Sequence, residues 1–173
     1  MAWGPRGLVG VQLPEKSRAA TRARMGRRWP EVPEADPSPE VRRAIEQICA
    51  LLRGAPADLS TMRLDFEGVP PFHRRVYEAA RGIPPGETLS YGAVAARLGE
   101  PGSARAVGQA LARNPFAVVV PCHRVITAGG LAGGFSASGG ITAKLRLLEI
   151  ERACVGGQPS LFSQLPAPPS DQA

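Results

Sequence analysis

Three consecutive β-branched residues, Val118-Val119-Val120, run straight into Pro121 and then Cys122-His123-Arg124. Three valines in a row call for burial, whereas proline cannot donate to a sheet ladder. The chain must therefore carry an apolar segment into a core and leave the strand direction at Pro121. In a regular strand adjacent side chains point to opposite faces, so Cys122 and His123 can act together only if that exit occurs. The pairing matters because the thiolate is the reactive form of cysteine, and a nearby imidazole or cation is what makes it accessible near neutral pH. Taken alone, a Cys-His dipeptide is more commonly a buried cysteine beside a surface histidine. The flanking sequence has to decide.

A chain of 173 residues holds one large or two small domains and buries a real core. The 21 Lys and Arg against 15 Asp and Glu leave a formal charge of +6. Residues 70–155 carry ten basic and five acidic side chains, which places Cys122 in a positive field suited to a polyanion. The cysteines at 49, 122 and 154 are odd in number and widely spread, so no disulfide framework is expected and a reducing cytoplasm is the natural home. With His73 and His123 the only histidines and no CxxC or HxxxH spacing, no metal site is expected. No apolar run reaches membrane-spanning length, and the start lacks the pattern of a signal peptide.

Apolar spacing predicts a strand over Gly7 to Leu13, followed by a basic segment with Lys16, Arg18, Arg22, Arg24, Arg27 and Arg28 that reads as a solvated helix face. Residues 30–39 form a proline-rich, acidic loop. Val41, Ala44, Ile45, Ile48, Leu51 and Leu52 recur at helical spacing, predicting a helix over Val41–Arg53 that holds Cys49 near its core stripe and is closed by Gly54. The Gly68-Val69-Pro70-Pro71 break marks a linker, giving an N-terminal α/β unit over 1–68 and a second unit over 69–155. In the second, Phe72–Arg81 is helical. Thr88 or Ser90 caps a helix through Leu98, and Ser103 caps another that Asn114-Pro115 stops near Arg113. Two short helices across a glycine-containing turn have helix-turn-helix character, with Arg105 near the start of the second. Residues 156–173 read as a flexible tail.

In sequence order, Pro71-Phe72, Arg75-Val76, Ile83-Pro84, Gly86-Glu87-Thr88, Ser90-Tyr91, Arg105-Ala106-Val107-Gly108, Asn114-Pro115, Pro121 to Val125, Gly139-Gly140 and Lys144 through Leu147-Leu148 to Glu151 resemble the O6-alkylguanine-DNA alkyltransferases over residues 70–152. Residues 1–60 fit that family's variable N-terminal domain loosely, and the chain starts inside that domain's first hairpin. The resemblance implies an α+β fold and an irreversible repair reaction in which an O6-alkyl group of guanine, or an O4-alkyl group of thymine, passes from DNA to the protein's own cysteine.

By that resemblance Cys122 is the acceptor, His123 the base acting through a water, Glu151 the group that polarises it, and Asn114 a support for the thiolate. Helical spacing puts Glu151 on one side with Lys144, Leu147 and Leu148 and turns Glu149 elsewhere. Arg105 matches the intercalating finger, with Ser103 and Ala106 beside it on the DNA-facing helix. Tyr91, Val125, Phe135 and Ser136 match positions lining the guanine pocket. His73 matches none and reads as a surface residue. The resemblance implies no cofactor, a monomer and double-stranded DNA as partner. Three other classes compete. A non-catalytic base-flipping relative would lack Cys122. A helix-turn-helix regulator leaves the Cys-His-Arg run without purpose, and a cysteine hydrolase would have only His73 as a second base.

Overall fold

The computed structural model describes residues 1–130, 135, 137 and 139–153. The tail expected over 156–173, together with Ser136 and Cys154, lies outside them. In chain order the elements are β1 (Ala2–Gly4), β2 (Gly7–Gly10), α1 (Arg18–Arg28), α2 (Pro39–Leu52), α3 (Pro71–Arg81), β3 (Leu89–Ser90), α4 (Tyr91–Arg97) and α5 (Ala104–Ala112). A single 3-10 turn (Cys122–Arg124), β4 (Val125–Ile126) and α6 (Gly140–Ile150) complete the fold. It is a mixed α/β architecture, helical for the most part, with two small two-stranded sheets among the described residues.

The first of these sheets is an antiparallel hairpin in which Trp3 faces Leu8 and Gly4 faces Gly7. Gly7 sits at φ +132°, and a Cβ there would come within 2.5 Å of the Arg63 carbonyl oxygen, so only glycine fits. The strand expected over 7–13 ends as a ladder at Gly10. From Leu8 to Val11 the backbone also pairs with distant segments. The Leu8 N–H donates to Arg63 O (2.9 Å), the Asp65 N–H donates to Leu8 O (2.8 Å), and the Val11 N–H donates to Pro115 O (2.8 Å). The N-terminal segment is thereby tied to the residues leading into Val118.

Helix α2 begins two residues earlier than its apolar stripe indicates, because the Ser38 hydroxyl accepts the Val41 N–H (3.3 Å) and Pro39 suits the first turn. It buries Val41, Ala44, Ile48 and Leu51, and Gly54 at φ +82° ends it. Helices α3, α4 and α5 pack on one another through Val76, Tyr77, Ala80, Val94, Ala95, Val107 and Ala110, each at most 1% exposed. The buried Tyr77 hydroxyl donates to Ala110 O (3.0 Å), joining α3 to α5, and its ring meets Phe116 edge to face at 6.4 Å. One apolar cluster runs from Leu8 through these helices to Leu147. His73 is half-buried, 6.2 Å from the Tyr77 ring, and not an open surface residue. Among the described residues no helix is long and apolar enough to cross a membrane.

The two serines expected as caps behave differently. Ser90 is extended (ψ 155°) and its hydroxyl accepts the Ala93 N–H at 3.0 Å. Ser103 occupies the cap position of α5 at ψ 16°, a backbone geometry that makes no side-chain cap bond. Ser90→Ala is therefore expected to cost about 1 kcal/mol, and Ser103→Ala only a few tenths at most, as for a surface change. Urea unfolding of the two variants checks this, and equal losses would refute the distinction.

Candidate active site

Backbone conformation delivers the thiol. The Val120 N–H closes onto Phe116 O (2.8 Å) around Val118, which is held at φ +71°. For a buried β-branched residue this is a strained conformation, costing on the order of 1–3 kcal/mol and retained only where the surroundings enforce it. Pro121 follows at φ −80°, ψ 66°, the centre of an inverse γ-turn in which the Cys122 N–H donates to Val120 O (2.8 Å). Proline suits that φ, but the strand expected to lead into it is absent: Val118 and Val119 lie in a turn and Val120 makes only an isolated bridge to Ala117, so a turn rather than a strand exit delivers the cysteine. The 3-10 turn Cys122–Arg124 then begins, with the Arg124 N–H on Pro121 O (2.9 Å). Asn114 braces the turn from outside: its Nδ2 donates to Val120 O (2.9 Å), its Oδ1 accepts the Phe116 N–H (2.9 Å), and its side chain favours the Cys122 thiolate.

Behind the thiol lies a buried ionic cluster. Arg124 grips Glu151 with two parallel bonds, Nε to Oε2 at 2.9 Å and Nη2 to Oε1 at 2.7 Å, and its Nη1 donates to the Ile83 carbonyl. His123, fully buried, places Nε2 3.1 Å from Glu151 Oε1 with the ring N–H poorly aligned, while Nδ1 has no protein partner among the described residues. The Glu151 side chain is 2% exposed. Burial alone would raise its pKa, but the nearby His123 and the paired bonds and charge of Arg124 outweigh that and hold the carboxyl down to about 2. Burial pushes His123 below the usual histidine value against the pull of Glu151, so imidazole is the resting form. Glu149 turns outward to Arg146 (2.7 Å), as helical spacing indicates.

Burial also pushes the Cys122 thiol up, opposed by the Asn114 hydrogen bond and by the charge of Lys144. Sequence reasoning assigns Lys144 no role in the chemistry. It is completely buried, donates from Nζ to Val125 O at 2.6 Å, and lies 5.8 Å from the centre of the Tyr91 ring. The available signal is a charged residue on the apolar stripe of α6.

Of the other expected site residues, Tyr91 is half-buried at the start of α4, and burial and then proximity to Cys122 raise its pKa. Val125 is buried in β4, which pairs in parallel with β3 through Leu89↔Val125 and Ser90↔Ile126. Its carbonyl already serves Lys144, leaving one lone pair for any other donor. Phe135 is partly buried against the core. Arg105 is exposed in the first turn of α5, flanked by the half-buried Ser103 and Ala106. Ser136 lies outside the described residues. Among these residues no cluster of His, Cys, Asp and Glu could hold a metal.

Such a fold and site define a class: two short packed helices, α4 and α5, beside a strained turn that carries one cysteine, followed directly by a histidine buried against a glutamate. Residues 71–153 match the family described as 6-O-methylguanine DNA methyltransferase, DNA binding domain. Over 158 residues the chain is 37% identical to the methylated-DNA–protein-cysteine methyltransferase of Methanothermobacter thermautotrophicus, covering 91% of this chain and 81% of that one. It is 45% identical to the protein of that name from Mycobacterium leprae over 119 residues, 69% of this chain and 70% of the relative. The crystal structure of O6-methylguanine methyltransferase from Mycobacterium tuberculosis is similar at TM-score 0.63 and 34% identity, covering 95% of this chain and 92% of the other. A crystal structure of the tuberculosis protein in complex with DNA matches at TM-score 0.56 and 46% identity over 62% of this chain and 63% of that one. The chain belongs to the methylated-DNA–protein-cysteine methyltransferase family, a family of enzymes.

The depressed Glu151 pKa has a defined consequence in acid. A carboxylate whose folded pKa lies near 2 rather than the ordinary 4.5 contributes stability above 4.5 and loses it as pH falls toward 2. Wild-type protein should therefore lose unfolding free energy across that window. Glu151→Gln should start less stable at neutral pH and show a flatter profile there. Parallel slopes would mean that Glu151 is not held ionised by its partners.

Proposed function

We propose that this chain repairs O6-alkylguanine in DNA, and O4-alkylthymine as a second substrate, by a single irreversible transfer of the alkyl group to Cys122. The observation that carries the reading is the strained turn that sets the Cys122 thiol next to Asn114, with His123 and Glu151 buried directly behind it. Because burial keeps the thiol protonated at rest, the reaction needs a base. His123 is in its neutral form and takes the thiol proton through a bridging water, while Glu151 stabilises the imidazolium that results. As the proton leaves, sulfur attacks the alkyl carbon, the S–C bond forms, the C–O bond breaks, and guanine departs with the bonding pair to be reprotonated. Lys144 favours the transient thiolate. The thioether is stable, so each molecule reacts once.

To reach the thiol the nucleotide must leave the duplex, at a cost of a few kcal/mol. In this reading α5 docks on DNA with Ser103, Ala106 and Arg105 toward it, Arg105 fills the vacated stack, and Tyr91, Val125, Phe135 and Ser136 receive the base. Residues 69–155 form the DNA-binding and acceptor unit, working as a cytoplasmic monomer without a cofactor.

Incubation with excess O6-methylguanine duplex should add one methyl per chain, located on Cys122 by intact-mass and peptide analysis, and then stop. Cys122→Ser should bind DNA and transfer nothing; continued turnover, or transfer by that variant, would move the acceptor elsewhere. Flipping and chemistry separate in a second experiment. Arg105→Ala should slow repair in duplex by about ten- to a hundredfold, the rate equivalent of a few kcal/mol of lost extrusion energy, and react nearly normally with free O6-benzylguanine. His123→Ala should impair both. Equal losses for Arg105→Ala on the two substrates would assign that residue to the pocket or the fold.

A further inference from the structure

Helix α1 differs from the rest of the fold. Every other helix buries an apolar set, but α1 buries no residue, contains no acid, and belongs to a run of six basic side chains from Lys16 to Arg28. A helix of 11 residues is marginal in water without an apolar seam or a partner. Its attachments are few. The Ser17 hydroxyl accepts the Ala20 N–H (3.1 Å), Arg24 pairs with Glu15 (2.7 Å), and Arg22 pairs with Glu34 where both side chains are solvent-exposed, an ion pair worth little. Just past its end Trp29 seats its ring on Gly10, where any side chain would collide with it.

This anchoring turns one side of α1 toward the acceptor. Arg24 and Arg28 line a small cavity, about 90 Å³, with Cys122, Asn114, Val11 and Arg113, the residue that ends α5. Arg24 and Arg28 are one turn apart, a like-charge spacing that destabilises a helix. Arg28 lies 5.0 Å from the Trp29 ring, and burial and then the charge of Arg24 lower its pKa. Neither Arg28 nor Arg113 has a carboxylate partner among the described residues. These guanidiniums are not spent on the thiolate either: the cation that lowers the Cys122 pKa is Lys144. Three convergent cations at the rim of a site that admits a strand of DNA fit one class of ligand, the backbone phosphate, which takes two parallel guanidinium bonds.

We propose that α1 is a second DNA-binding element, in which Arg24 and Arg28, with Arg113, hold backbone phosphates beside the extruded nucleotide while the exposed Arg18, Arg22 and Arg27 extend the positive track. Arg105 and Arg113 stand at opposite ends of α5, roughly 12 Å apart at 1.5 Å per residue. At 3.4 Å per step along a strand that is about three to four nucleotides, so one helix can plug the stack with one end and meet flanking phosphates with the other. The inference rests on the repair reading above but concerns binding, and its test is independent of transfer.

Binding of unmodified duplex is measured by fluorescence anisotropy across a salt series for wild type, R24Q/R28Q, R24K/R28K and R18Q/R22Q/R27Q. For each phosphate that is no longer neutralised, the log-log slope should shrink by about 0.9. R24Q/R28Q should shrink the slope by about two such units and bind less tightly at low salt, the triple variant should shrink it by at least one, and R24K/R28K should restore most of it. The ratio of the duplex repair rate to the free O6-benzylguanine rate should fall about tenfold in R24Q/R28Q. An unchanged slope in both glutamine variants, or a weakened R24K/R28K equal to R24Q/R28Q, would overturn the proposal. So would equal losses on duplex and free base, which would reveal damage to the cavity. A wild-type protein that binds duplex with the expected slope but transfers nothing from either substrate would sink the repair reading and leave this one standing.

Discussion

The site depends on the ion pair between Arg124 and Glu151. Removing a carboxylate and a guanidinium from water costs several kcal/mol each, and such a pair is sustained only when its geometry and remaining hydrogen bonds are nearly complete. Here the two parallel N–H···O bonds and the Ile83 carbonyl supply that completion. Glu151 lies at the end of α6, Ile83 follows α3, and Arg124 closes the acceptor turn, so one guanidinium ties three segments together. Loss of either partner would leave a buried charge uncompensated, a far larger penalty than the pair's net worth. The 3-10 turn explains how consecutive residues do separate jobs. At three residues per turn, successive side chains diverge by about 120°, which sends Cys122 toward the cavity while His123 and Arg124 turn inward.

The electrostatics around the thiol are balanced by the placement of a few groups rather than by excess charge. Burial raises the Cys122 pKa, and the Asn114 amide, the charge of Lys144 and the backbone N–H groups of Cys122 and His123 pull it back. Lys144 is itself oriented by the Val125 carbonyl and set near the Tyr91 ring, so the cation is fixed where it can act on sulfur without pairing to a carboxylate. A reactive thiolate held permanently would be open to oxidation and stray electrophiles. A thiol that ionises only when a base and a substrate are both in place avoids that.

Local chemistry writes much of this into the sequence. Apolar spacing locates α2, capping serines and helix breakers locate α4 and α5, Pro121 marks the turn that carries Cys122, and the seven-residue interval between Lys144 and Glu151 separates the inward glutamate from Glu149. What stays hidden depends on partners far along the chain. The early end of β2 follows from pairing of Leu8 and Val11 with residues 64 and 116, which no window around Leu8 contains. Ser103 fails as a cap because its backbone is turned by the loop before it. His73, by contrast, is half-buried against Tyr77, a local partner one turn along the same helix. Lys144 reads as one more charge until the fold surrounds it, and Val118 at positive φ is a state that its own residue type opposes.

The pairing of Leu89–Ser90 with Val125–Ile126 looks slight, yet α4 begins at the very next residue. The α4–α5 helix pair and the strand leaving the Cys122 turn are thus spliced without an intervening loop. A machine joined in this way has no slack. On the reading proposed above, docking of α5 on DNA sets the acceptor's position relative to the duplex axis in the same movement. On that reading the burden of distortion falls on the nucleic acid, which swings its base out to the acceptor.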